Sequence, residues 1–168
     1  MNRPARGFLL RFGAFLVVFY LAVAIRPVND HVIVPFTHGV ATVSGWLLNH
    51  LGEDVRVNGT VVSSARFGVN IENGCNGVET ALMLAAAILA FPAPVRYRIG
   101  GFIAGFAAIE IVNLIRVLSL FWIGVHRHAW FNSAHTLIWQ SAVVLFGVGV
   151  FVIWAGRVPK ARAAADAS

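Results

Sequence analysis

The chain is a series of long apolar runs separated by short polar stretches, and the length of each run limits what it can be. A spanning helix needs about 20 mainly apolar residues to cross a hydrocarbon core of about 30 Å. Residues 8–25, 99–125 and 135–155 meet that length. A fourth run, 78–95, is slightly short and ends at Phe91-Pro92-Ala93-Pro94, where proline stops a helix. The pattern predicts an all-α polytopic membrane protein of about four transmembrane helices. The first run follows Arg3 and Arg6 as a signal peptide would. It contains Arg11, however, and ends in Ile25-Arg26-Pro27 without a small-residue cleavage site, so it reads as a retained span.

The segment 26–77 lies outside that core. In 35–51, Phe36, Val40, Val43, Leu47 and Leu51 recur at helical spacing among His38, Thr42 and Asn49. This predicts an amphipathic helix at the outer interface rather than a fifth span. Beyond it, Val55-Arg56-Val57, the turn signal Asn58-Gly59 and Thr60-Val61-Val62 predict a small extramembrane β-hairpin. The Ala-rich tail, about 161–168, reads as disordered. The whole chain, 1–168, is one integral-membrane domain.

Composition agrees with this picture. Of 168 residues, 58% are hydrophobic and 12% charged; a soluble domain carries about twice that charged fraction. The net charge of +6 raises the question of nucleic acid, but the basic residues are scattered among apolar runs and form no basic face. They do set an orientation. With the N-terminus inside, Arg3, Arg6, Arg11, Arg96, Arg98, Arg157, Lys160 and Arg162 are cytoplasmic, while Arg26, Arg56, Arg66 and Arg127 are outside. Eight against four predicts an N-in, C-in topology. Trp46, Trp122, Trp130 and Trp154 then fall near the interfaces, and Gly101-Phe102-Ile103-Ala104-Gly105 fits small-xxx-small helix packing.

In that topology all six histidines (His31, His38, His50, His126, His128, His135) and the single cysteine, Cys75, lie on the outer side. One cysteine excludes an internal disulfide and a two-cysteine relay. Cys75 sits in Glu72-Asn73-Gly74-Cys75-Asn76-Gly77-Val78-Glu79, at the start of the run 78–95. A helix beginning there points free N–H groups and its positive dipole end at the sulfur, favouring thiolate and able to hold an oxyanion. The plainer reading is a small buried hydrophobe.

Glu110, Asn113 and Arg116 interrupt the run 99–125. Charged groups at membrane depth cost roughly 2.5–3.5 kcal/mol each, which makes them functional-site candidates. Arg116 falls near the outer edge of the core, at about the depth of Cys75; its alternative is snorkelling toward headgroups. Glu110 reads as a structural hydrogen bonder and Asn113 as an interhelical one. His135 is expected to open the last span after Asn132-Ser133, as a neutral base at a helix N-terminus, or else as an interfacial histidine without a role. His126 and His128 read as solvated loop residues. Glu79, one turn after Cys75, is placed to pair with Arg116 or to orient His135.

Cys75-Asn76-Gly77 before one helix, Asn113-Leu114-Ile115-Arg116 inside the next and His135 at the start of the last resemble the exosortase/archaeosortase family of membrane cysteine proteases or transpeptidases. The likeness covers roughly 72–155 and is greatest to the exosortase H subtype. It implies Cys75 as nucleophile, His135 as general acid and base and Arg116 as stabiliser of charge, with Glu79, Asn113, Asn76 and Gly77 in support. It implies membrane-anchored protein substrates carrying a C-terminal sorting signal (a short motif, a transmembrane helix and a basic tail), cut at the outer face of a bacterial inner membrane. No metal or organic cofactor is required. The main rival is a non-catalytic assembly or docking protein. A haem or metal reading is weaker, since none of the six histidines is central in a span.

Overall fold

The computed structural model describes residues 3–159. The tail expected to be disordered, with Lys160 and Arg162, lies outside them. In chain order the elements are α1 (Arg3–Ala24), α2 (Arg26–Val28), a π-helical turn (Asn29–Ile33), α3 (Val34–His50), β1 (Arg56–Asn58), β2 (Val61–Ser63), β3 (Gly68–Asn70), α4 (Val78–Ala90), α5 (Val95–His126), α6 (His128–Ser133), a second π-helical segment (Ala134–Trp139) and α7 (Gln140–Arg157). Four continuous helical runs are long and apolar enough to cross a membrane: Ala5–Ala24, Arg26–His50, Val95–His126 and His128–Arg157. Large apolar side chains such as Leu10, Leu21, Ile103, Leu137 and Leu145 point outward from these helices. A soluble monomer does not expose such faces. The protein is a membrane protein, with four candidate spans as expected.

The identity of the four differs from expectation at two places. The run 78–95 forms a helix of 13 residues, about 20 Å long and too short to cross. Gly77, left-handed at φ 83°, starts it, and Phe91, extended before Pro92, ends it. Yet α4 is the most enclosed helix of the bundle, flanked by α1, α5 and α7. Conversely, the stretch expected as an interfacial helix belongs to the longer run 26–50. Its buried stripe is Thr37, Val40, Ala41, Ser44, Gly45 and Leu48, while Val43 and Leu51 face outward. Small residues pack inward and large apolar ones face lipid, the usual arrangement where the solvent is hydrocarbon. The interfacial reading of 35–51 therefore gives way to a candidate span, with Val43 and Leu51 on the face turned away from the bundle.

α3 runs beside the C-terminal half of α5. Phe36 lies on Phe106 with ring centroids 5.9 Å apart, and Val40, Ala41 and Leu48 share a core cluster with Val117 and Phe121. The sheet closes that cluster with Val55, Val62 and Ile71. It has three antiparallel strands in the order β1-β2-β3, one more than expected. Asn58 pairs with Val61, so the turn is Gly59-Thr60, one residue later than the Asn58-Gly59 signal. Gly59 supplies the positive φ (61°) that such a two-residue loop needs.

The other end of the bundle is aromatic and basic. Phe8, Phe91, Phe151 and Trp154 stack there, and Trp154 Nε1 donates to Tyr97 O (3.0 Å). Arg6, Arg11, Arg96, Arg98 and Arg157 belong to the helix turns at this end. Gly101 and Gly105 pack as expected: Trp154 lies where a side chain on Gly101 would stand, and Leu84 of α4 where one on Gly105 would. Trp46, Trp122 and Trp130 are exposed.

Candidate active site

The loop 72–77 is a sequence of turns pinned from three sides. Cys75 N–H donates to Glu72 O (2.9 Å), and Gly74 and Gly77 both take positive φ, which residues with a Cβ avoid. Asn76 is fully buried; its amide donates to Thr37 Oγ1 of α3 (2.8 Å), while its Oδ1 accepts from Val78 N–H (3.1 Å). Asn73 reaches Asn29 Oδ1 (3.2 Å). Glu79 Oε1 accepts from Gly74 N–H (2.7 Å). Glu79 thus holds the loop to the first turn of α4, and is hydrogen-bonded neither to Arg116 nor to His135, the two partners foreseen for it.

These ties present the sulfur to two helices. Cys75 Sγ lies 2.6 Å from His135 Nε2 and 3.4 Å from Arg116 Nη2. Arg116 is 2% exposed, which excludes snorkelling. Its guanidinium donates to three acceptors: Gly74 O (3.0 Å), Cys75 Sγ and Gln140 Oε1 (3.1 Å). Residues 41 and 60 positions from Cys75 in the chain therefore converge on one thiol. Asn113, three residues before Arg116, is fully buried, but neither of its polar atoms has a hydrogen-bond partner among the described residues. The interhelical bond expected of it is not formed. Nor is one formed by Glu110, whose buried carboxylate lies against Gly77 and leaves no space there for a side chain.

Electrostatics at the sulfur differ from the helix-dipole argument. Burial pushes the Cys75 thiol above its ordinary value, the Arg116 guanidinium pulls it back, and Glu79 and Glu72 push it up again. α4 and its dipole begin three residues beyond Cys75, across the left-handed Gly77. A thiol held neutral by burial needs a base in contact, and His135 is the one in place.

His135 does not open a helix. α6, the π-helical segment and α7 are continuous, and Asn132-Ser133 lie inside the run. His135 and Gln140 are five residues apart, which in a regular α-helix puts them about 140° apart around the axis. The wider π-turn between Ala134 and Trp139 brings both to the Cys75–Arg116 side. Phe131 stacks on the His135 ring (centroids 5.8 Å, planes 7° apart) and itself meets Phe67 of the β2–β3 loop at 5.1 Å. Phe67 in turn packs on Phe121, in a space that Gly124 leaves open. His126 and His128 are exposed and stand outside the cluster.

Gln140, Thr37 and Phe131 were not foreseen as part of this site. Gln140 carried a signal, a lone amide in an apolar run, but helical spacing assigns it to a different face from His135.

Chemically the cluster is a thiol with a base in contact and a fixed cation beside it. That set serves nucleophilic attack on a carbonyl. Residues 4–157 match the family model described as transmembrane exosortase (Exosortase_EpsH). Comparison with curated proteins and comparison with solved structures each return no match.

Proposed function

This chain belongs to the transmembrane exosortase family, and from that premise we propose that it is a membrane-embedded cysteine peptidase or transpeptidase acting on C-terminal sorting signals of exported proteins. The observation that carries the reading is the contact of Cys75 Sγ with His135 Nε2 at 2.6 Å, with Arg116 on the same sulfur. His135 takes the thiol proton, and the thiolate attacks the scissile carbonyl carbon. The oxyanion is held by Arg116 together with the N–H groups of Asn76 and Gly77, since those of Gly74 and Cys75 already donate to Glu79 Oε1 and Glu72 O. His135 returns the proton to the leaving amine, which departs with the membrane tail and leaves a thioester on Cys75. Attack on that thioester by water completes hydrolysis; attack by an amine or hydroxyl completes transfer.

The location follows from the same arrangement. Arg116 stands 21 residues from Val95, about 31 Å along α5 and so at the far edge of a core of about 30 Å that begins there. The basic turns of α1, α5 and α7 gather at the Val95 end. By the positive-inside rule that end is cytoplasmic, so the reading has N-in, C-in topology and a site at the outer face of a bacterial inner membrane. A substrate held by a transmembrane tail presents its scissile bond at that depth.

The test is co-expression with candidate tail-anchored substrates, following loss of the tail and a covalent adduct on Cys75. Cys75→Ala is expected to abolish processing while the protein accumulates normally in the membrane. Complete processing by that variant overturns the proposal in favour of a docking or assembly role.

A further inference from the structure

Two cavities meet at Met83 and form one groove down the face of the bundle. The upper, about 140 Å³, is lined by Leu16 and Tyr20 of α1, Thr80 of α4, Val144 of α7, and Glu79, Arg116 and Gln140 at its head. The lower, about 150 Å³, is lined by Leu9 and Phe12 of α1, Leu84 and Ala87 of α4, and Gly147 and Val148 of α7. Both have the same walls and floor. α1 and α7 each pack on α4 and meet each other where Phe8 stacks on Phe151, at the aromatic end. Above that stack they stand apart. α4 forms the floor with the small residues Thr80 and Ala87, and Gly147 lets α7 lie close against Thr80.

The groove is apolar along its lower half and polar at one end, and that end holds the guanidinium that contacts Cys75. Resting on the peptidase reading above, we infer that the groove between α1 and α7 receives the membrane-spanning helix of the substrate, laid along α4 with its outer end at the polar head of the groove, beside Glu79. The polarity selects the occupant. The outer end of a tail-anchored helix is its N-terminus, and the freed N–H groups there need acceptors, which the Glu79 carboxylate and the Tyr20 hydroxyl at the head of the groove supply. The ester and phosphate oxygens of a lipid at that depth are themselves acceptors and do not match that carboxylate.

The size fixes the mode of docking. A cavity near 150 Å³ holds about one benzene-sized group, so each half takes one large side chain rather than the body of a helix. Along α4 and α7 the two halves are offset by five to seven residues, about 10 Å. Side chains at i and i+7 of the docked helix are spaced to fill both.

The experiment places a photoreactive phenylalanine analogue in the full-length protein, in bilayers, at Leu16, Val148 or Ile103, with a tail-anchored reporter present. Ile103 lines a separate groove between α4 and α5, with Leu89 and Phe102. Crosslinks to the reporter's helix are expected from Leu16 and Val148 and not from Ile103. In parallel, Val144→Trp and Val148→Trp are expected to lower kcat/KM at least tenfold, chiefly through KM. They should leave the rate of Cys75 alkylation by iodoacetamide within twofold, and Ile103→Trp should leave both unchanged. Crosslinks from Ile103 in a protein that cleaves overturn the groove and leave the peptidase reading intact; lipid adducts alone at Leu16 and Val148 do the same. Crosslinks at Leu16 and Val148 in a protein that never cleaves support the groove and count against the peptidase reading.

Discussion

Arg116 is the residue at which charge and shape can be separated, because lysine keeps the first and removes the second. The guanidinium makes three contacts through two nitrogens, to Gly74 O, Cys75 Sγ and Gln140 Oε1. Those acceptors come from a loop, a thiol and a different helix, and a planar fork reaches all three at once. A lysine ammonium is a single point on a shorter stem. It can keep one of the three and, when desolvated, can lose its proton altogether. Hydrogen bonds from charged groups contribute about 1.5–3 kcal/mol each. The bond that matters for rate is the one made to the oxyanion, and removing such a donor costs about 2.7–4 kcal/mol, or 10²–10³ in turnover. Arg116→Lys is therefore expected to insert normally and to process a tail-anchored substrate 10²–10³-fold more slowly. The assay compares initial rates of tail loss at matched membrane abundance, with protease resistance of the purified variant reporting the fold. Arg56→Lys and Arg127→Lys, both exposed, serve as controls with expected rates near wild type. Cleavage by Arg116→Lys within about threefold of wild type refutes the oxyanion role and leaves a Cys–His pair as the machinery.

His135→Ala is expected to lower turnover by about 10²-fold or more, the scale of lost general acid–base catalysis, with His126→Ala and His128→Ala within a few-fold of wild type; a dead His128→Ala beside an active His135→Ala moves the base to α6. The thiol itself gives a pH test, since burial disfavours its thiolate. In His135→Ala the rate of Cys75 alkylation should rise with pH through a midpoint above that of a free cysteine, about 8.5, whereas in wild type the imidazole shifts the midpoint lower. Equal midpoints in the two proteins exclude His135 as the base. Fusions of a reporter active only outside the membrane are expected to work near Gly59 and to fail near Arg96, and a cytoplasmic Gly59 fusion reverses the proposed orientation.

Much of the fold was legible because lipid is a simple solvent. Run length and basic residues alone marked α1, α5 and α7 as spans, and the helices follow. The failures share a cause. Sequence periodicity tracks where large apolar residues lie, and in a bilayer these face outward as readily as inward. The stripe of Phe36, Val40, Val43, Leu47 and Leu51 was therefore read as the apolar face of an interfacial helix, when the helix belongs to a longer apolar run whose buried face also holds Thr37, Ala41, Ser44 and Gly45. α4 was drawn too long for a related reason. Its start at Val78 is where the run was placed, but the apolar pattern continues past Phe91, whose extended backbone before Pro92 ends the helix.

The cluster of Cys75, Arg116 and His135 was visible as residue types in odd places, but its coherence was not. Counting along an α-helix puts His135 and Gln140 on different faces, and a cap at Asn132-Ser133 would have started the helix there. Only the π-turn at Ala134–Trp139 lets one helix place a base on the thiol and an amide on the guanidinium at the same time. Such a turn has no signature in side-chain pattern. It is sustained by tertiary contacts: the Phe121–Phe67–Phe131 chain pressing on the His135 ring from the sheet side, and Arg116 drawing Gln140 from α5. The sheet thus acts on the geometry of the thiol through the stacked rings and the imidazole.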